Sequence, residues 1–332
     1  MMIVSLLFLF IACLIRFCYS NLSSRQQVCL DTYTTKLQDI YSVSTLKQRI
    51  HALMKNSTSI SSQKCPFPGN VIINTSPGST GTTSLFLASM MLNITSVHHM
   101  SVHANCNLRH LAMDNLQFMN YLEKLDQSNI SRYLSKYADI ETRPVMMLDT
   151  PYSQLWLDYL TRCPNATYIF TDIAAAKWNE VRRPHLLAGP QSHYRWDLTV
   201  PIPFIGKRPH DDDLLSIVSL LNTTAKQTIQ AFEAYRTFVS CTIPPQKLTV
   251  INLASLKSSA RFWHCIFAIT RIQVSPQMRQ ELIEAGVPHM GSKGCNIGDK
   301  MDCNNFEHNI HKLPGVCRSH KPSQFRFDAK WA

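Results

Sequence analysis

Residues 71–74, Val-Ile-Ile-Asn, run into Thr-Ser-Pro-Gly (75–78), then Ser-Thr-Gly-Thr-Thr-Ser (79–84), then the apolar Leu-Phe-Leu-Ala (85–88). β-Branched residues favour a strand, Pro-Gly forces a turn, and the hydroxyl-rich run that follows predicts a helix beginning near Thr82. Such a strand, tight loop and helix suit the opening unit of an α/β sheet. The new helix would present free N–H groups and its positive dipole end to an anion. Gly78 and Gly81 free the backbone for close approach, and Ser79, Thr80, Thr82, Thr83 and Ser84 add hydroxyl groups. A phosphate or sulfate is the matching ligand, although the same pattern also serves a plain capped helix. No Gly-Lys-Ser/Thr occurs in the loop, so it is not a Walker A motif.

The remaining pattern alternates in the same way. Strands are predicted over 95–99, 145–148, 167–171 and 248–253, and helices over 82–92, 107–125, 152–162, 214–235 and 258–269. Asp211, Asp212 and Asp213 read as capping charge for the helix from Leu214 rather than as a metal cluster. This alternation implies a parallel sheet covered by helices on both faces, with ligands at the carboxyl ends of the strands. Residues 45–55 read as a further helix, and no internal repeat is evident.

The core Ser-Thr-Gly-Thr-Thr-Ser-Leu (79–85) resembles the 5′-phosphosulfate loop of P-loop-like sulfotransferases, in the branch with Arg-Thr-Gly-Thr-Ser-Ser-Leu loops. His98-His99-Met100 is similar to that branch's Tyr-His-Met, and Asp149-Thr150-Pro151 to its Asp-x-Pro. Cys163-Pro-Asn-Ala-Thr-Tyr-Ile-Phe-Thr171 is similar to its Tyr-Pro-Asp-Ala-Lys-Val-Ile-Leu-Thr strand, and Trp178 to a tryptophan beyond it. Ala231 to Tyr235 and Ile243 to Asn252 look like a helix, a Pro-Pro turn and the last strand. The resemblance spans roughly residues 68–290. It implies a P-loop NTPase-like fold and sulfuryl transfer from 3′-phosphoadenosine 5′-phosphosulfate to a hydroxyl group, with no metal. Gly78 to Ser84 would cradle the donor. His99 would act as general base, and Asp149 would orient the acceptor or share that role; an Asp before Thr-Pro also makes a good turn.

Three positions depart from the family. The loop cation is replaced by Ser79, and the arginine and serine that hold the donor's 3′-phosphate are replaced by Ile173 and Val181. Each lost charge-assisted contact weakens binding by about 1.5–3 kcal/mol. Arg182 and Arg183 are candidate replacements, with a solvated helix end as the alternative. Lys293 to Lys300 is faintly similar to a 3′-phosphate-capping segment of cytosolic sulfotransferases.

Charge and cysteine usage constrain the setting. A formal net charge of +11 favours acidic partners such as nucleotide phosphates, sulfated glycans or membrane surfaces. No dense basic tract points to nucleic acid. Residues 1–20 read as a signal peptide or signal anchor, 21–68 as a lumenal stem or extension, 69–285 as the α/β domain, and 286–332 as an irregular, disulfide-pinned segment. Sequons at Asn21, Asn56, Asn74, Asn93, Asn129, Asn165 and Asn222 agree with the secretory pathway; Asn74 falls in a buried strand and should carry no sugar. Nine cysteines beyond the leader imply disulfides with at least one thiol left over. Cys295, Cys303, His308, His311 and Cys317 match no tight zinc spacing.

The reading is therefore a sulfotransferase-like glycoprotein of the Golgi membrane or lumen, or a secreted one, acting on a glycan or glycolipid. Its rival is a non-catalytic protein that keeps the fold and binds an anionic ligand or protein partner. A small-molecule kinase lacks both the loop lysine and a magnesium-binding acid.

Overall fold

The computed structural model describes residues 24–37, 70–78, 80–98, 101–104, 107–110, 144–149, 165–188, 224–253, 258–291 and 294–296, with single positions at 65, 67, 153, 156, 159, 160 and 163. In chain order the elements are α1 (Ser24–Leu37), β1 (Val71–Asn74), α2 (Thr82–Met91), β2 (Thr95–His98), β3 (Ser101–Ala104), β4 (Asn107–His110), β5 (Val145–Leu148), β6 (Thr167–Asp172), α3 (Ala175–Ala188), α4 (Ala225–Thr242), β7 (Leu248–Asn252), α5 (Ser259–Thr270), α6 (Pro276–Glu284), β8 (His289–Gly291) and β9 (Gly294–Asn296).

β1 to β7 form one sheet in the order β4-β3-β2-β5-β1-β6-β7, and β8 and β9 form a separate antiparallel pair. The five strands β2, β5, β1, β6 and β7 are parallel. β3 and β4 add on antiparallel beyond β2. The α/β fold expected from the alternation is therefore present, with one correction: residues 107–110 are a strand, not the start of a helix. Val102 faces Arg109 and His103 faces Leu108 across the ladder. Leu108 and Leu111 fit helical spacing, but the four residues 107–110 are too short to show a period of their own, and antiparallel pairing with β3 makes them a strand. Residues 111–125 lie outside the described residues, as do 1–20, 45–55 and 211–213. The helix predicted from Leu214 is described from Ala225, where Thr224 accepts the Gln227 N–H and Gln227 returns the bond to the Thr224 N–H.

Side-chain alternation divides the core. Ile72, Met146, Leu148, Ile169 and Ile251 pack with α2, α5 and α6, where Leu85, Leu87, Phe262, Trp263 and Leu282 are buried. On the other face Phe170 meets Phe232 and Tyr235 of α4, and Trp178 of α3 stacks on Phe232 at 4.7 Å. All four residues of β1 are buried, as a strand covered on both faces requires.

Within the 21–68 stretch, α1 is a helix docked on α4. Tyr33 stacks on Phe238 at 4.6 Å, and Cys29 is bonded to Cys241. A second disulfide joins Cys65 to Cys163, and Cys265 is a half-buried thiol. Crosslinks that close loops of this size each restrict the unfolded chain by about 5 kcal/mol in the chain-entropy model. Among the described residues no helix is long and apolar enough to cross a membrane.

Candidate functional site

The parallel strands place the site. β1 leads to β2 on one side of the sheet and β6 leads toward β7 on the other, so the chain diverges at the carboxyl ends of two adjacent strands. Ligands of open α/β sheets bind at such a switch point. The loop after β1 lies there, held by bonds to several elements. The Thr75 N–H and hydroxyl both donate to Ile169 O, and Thr80 Oγ1 lies 2.8 Å from Thr171 Oγ1 and 2.8 Å from Pro77 O. Trp178 Nε1 donates to Gly78 O at 2.8 Å, and the Tyr235 hydroxyl donates to Thr75 O at 2.6 Å. Burial pushes the Tyr235 phenol well above its ordinary range, so it remains a donor. Trp178 is fully buried.

α2 begins at Gly81, which has φ 106° and gives the helix no side-chain cap. A Cβ there would collide with Leu253 Cδ1, and a left-handed backbone disfavours any side chain. Gly81 O accepts the Ser84 and Leu85 N–H groups, and the N–H groups ahead of them, of Thr82 and Thr83, are ones that a helix cannot satisfy internally. Of the hydroxyls expected in the cradle, that of Thr80 is committed to the loop itself. Thr82 Oγ1 donates to Asp149 Oδ2 at 3.2 Å, and Thr83 is half-buried. The Ser84 N–H bonds to Gly81 O.

Asp149 follows β5 with φ 64°, and its carbonyl accepts the Ser153 N–H at 2.8 Å. The turn reading of this residue and its presence at the site are therefore compatible. Gly78 explains how it gets there: a Cβ on Gly78 would lie 2.8 Å from Asp149 Oδ1 and 2.9 Å from Arg182 Cζ and Nη1. The absent side chain makes room for a carboxylate and a guanidinium beside the loop. Arg182, on α3, is 5% exposed, so it is a buried cation rather than a solvated helix end.

His98, which precedes the candidate base His99 in the sequence, also lies at this site. Its ring stacks on Phe86 at 4.9 Å, and Nε2 is 3.3 Å from Asp149 Oδ2. That distance suits an ion pair when the ring is protonated, but the buried nitrogen is not aligned for a hydrogen bond. Strand parity was the available signal: Ser96 bonds to Ser89 of α2, so His98, two residues on, shares that face. Ser79 and His99 lie outside the described residues, as does the side chain of Arg183. Ile173 is half-buried and Val181 is 43% exposed. Among the described residues no cluster of three or more His, Cys, Asp or Glu could hold a metal.

The model of the family described as "Sulfotransferase domain" matches residues 71–255, from the first residue of β1 to just past β7 and over more than half of the chain. The chain belongs to the sulfotransferase domain family. No curated protein is similar enough to match it. The matched stretch of the sulfotransferase domain contains all five parallel strands, the loop after β1, His98, Asp149 and Arg182.

Proposed function

We propose that the protein transfers a sulfuryl group from 3′-phosphoadenosine 5′-phosphosulfate to a hydroxyl of a glycan or glycolipid, and that it does so in the secretory pathway, with the Golgi membrane or lumen as its site of action. The observation that carries this reading is the convergence of Gly78, Thr82 and Arg182 at the head of α2. In-line transfer needs a place for the phosphosulfate, a cation near the oxygen that leaves sulfur, and a base near the acceptor hydroxyl. Gly78 to Ser84 would cradle the donor, with Arg182, and Arg183 beside it, supplying charge that Ser79, Ile173 and Val181 do not. The base is drawn from the end of β2, where His98 and His99 lie, and Asp149 is its neighbour. Membership of this chain in the divergent branch with Arg-Thr-Gly-Thr-Ser-Ser-Leu loops is part of the same proposal.

The two disulfides support a secretory setting, because such bonds persist in oxidising compartments. Asn165 is exposed, whereas Asn74 is fully buried and Asn93 nearly so. Endoglycosidase treatment of protein from eukaryotic cells is expected to lower its mass, and Asn165→Gln is expected to remove part of that shift. An unchanged mass in a cytosolic protein would end the secretory part of the reading.

Val181 favours a second reading. An exposed apolar side chain where a phosphate-binding serine is expected suits a protein that has kept the fold and lost the donor, binding an anionic ligand or a protein partner instead. Calorimetric titration with adenosine 3′,5′-bisphosphate, followed by labelled-sulfate transfer to a glycan library, separates the two. Binding with transfer supports the enzyme; no binding and no transfer supports the scaffold.

A further inference from the structure

Asp149 occupies an unexpected place for an acid. One carboxylate is approached from three elements by groups that favour an anion. Thr82 of α2 donates to Oδ2, Arg182 of α3 shares with Oδ1 the space beside Gly78, and His98 of β2 lies 3.3 Å from Oδ2. A phosphate or sulfate oxygen arriving at the head of α2 would use the same hydroxyl and guanidinium. The carboxylate is carried there on a left-handed backbone, which Asp and Asn tolerate better than other residues with a Cβ.

The geometry points to Asp149 as a built-in counter-anion of the loop: an incoming phosphate-bearing or sulfate-bearing ligand displaces its carboxylate from the Thr82 hydroxyl and from the space beside Gly78 that it shares with Arg182, and the carboxylate closes onto His98 Nε2. This rests on the anion-binding reading of the loop made above. Binding is then an exchange of one anion for another in the space beside Arg182. A buried guanidinium without a counter-charge would be costly, so the internal carboxylate keeps the empty site stable. The exchange also links the two halves of the site. When Oδ2 turns to His98, Nε2 donates its N–H to the carboxylate and Nδ1 becomes the basic nitrogen of the ring. The Phe86 stack holds the ring plane while this happens. His98 is thus set for proton acceptance only when the anion is in place, with Asp149 as its positioning residue.

Asp149→Asn tests the exchange with little risk to the fold. Asparagine tolerates the left-handed region and retains an oxygen for Thr82, so the negative charge is removed, with one acceptor oxygen exchanged for a donor amide. The full chain is titrated by calorimetry with adenosine 3′,5′-bisphosphate and with inorganic phosphate, alongside Arg182→Gln. Asp149→Asn is expected to bind the bisphosphate about ten-fold more tightly, and Arg182→Gln about ten-fold more weakly, each the worth of roughly one charge-assisted hydrogen bond. Nitrogen NMR of the wild type should show the His98 ring settling into its Nε2–H form on saturation, a change absent from Asp149→Asn. Unchanged or weaker binding by folded Asp149→Asn overturns the exchange, and so does a His98 signal that ignores the ligand in the wild type. Sulfuryl transfer retained alongside either result leaves the transferase reading standing. Tighter binding by Asp149→Asn, with no transfer by the wild type, supports the exchange and removes the transferase reading instead.

Discussion

At the carboxyl end of β1 the loop carbonyls of Thr75, Pro77 and Gly78 each accept a bond, from Tyr235, Thr80 and Trp178 respectively. One strand away, at the end of β6, the corresponding surface is loosely built. Asp172 meets Arg236 at 3.4 Å, Ile173 is half-buried, and Val181 stands exposed on α3. The first end is held in shape by side chains of α3, α4 and the loop itself; the second presents apolar side chains and an acid already paired. The contrast teaches that a cradle's backbone and its charges can change independently, since the backbone is fixed by core contacts and the charges by single exposed positions.

Four substitutions probe that contrast. The largest effect is expected from Gly81→Val, which puts a β-branched residue at φ 106° against Leu253. It should cost about 3 kcal/mol or more and abolish bisphosphate binding, read by denaturant unfolding and calorimetry. Trp178→Phe removes the donor to the buried Gly78 carbonyl; a loss of about 2 kcal/mol is expected, with binding weakened through loop disorder. At the other end, Ile173→Arg restores a cation beside the sheet. It should tighten bisphosphate binding by about 1.5 kcal/mol and leave stability nearly unchanged, whereas no gain would mean that the end of β6 is no longer part of a donor site. The smallest effect belongs to Val250→Thr on the outer strand β7, where the side chain is 51% exposed; chemical denaturation should move by no more than about 0.5 kcal/mol.

The loop after β1 was legible because its chemistry is local. Valine and isoleucine, then Pro-Gly, then hydroxyl residues around Gly81 dictate strand, turn and helix start without reference to distant chain. Asp149 was legible as a candidate, as was Arg182, though not that Gly78 brings them together, since that convergence needs three separate connections to be folded. The β3–β4 ladder was lost for the opposite reason: four-residue strands carry too little period, and their pairing is decided by partners rather than by their own residues. The place of His98 beside Asp149 follows from the alternation that puts Ser96 and His98 on one face, which the His-His-Met match does not reveal.

The bond between Cys29 and Cys241 spans 212 positions of sequence. During synthesis the first of these thiols exists long before the second. At about 5–20 residues per second the interval is roughly ten to forty seconds. Throughout that time α1 has no α4 to dock against, and other cysteines of the nascent chain are made in between. Correct pairing therefore depends on Cys29 remaining reduced, or being released from early wrong partners by exchange, until α4 is complete. Yield of the mature protein is consequently set by the thiol-handling capacity of the producing cell as much as by the strength of its own core.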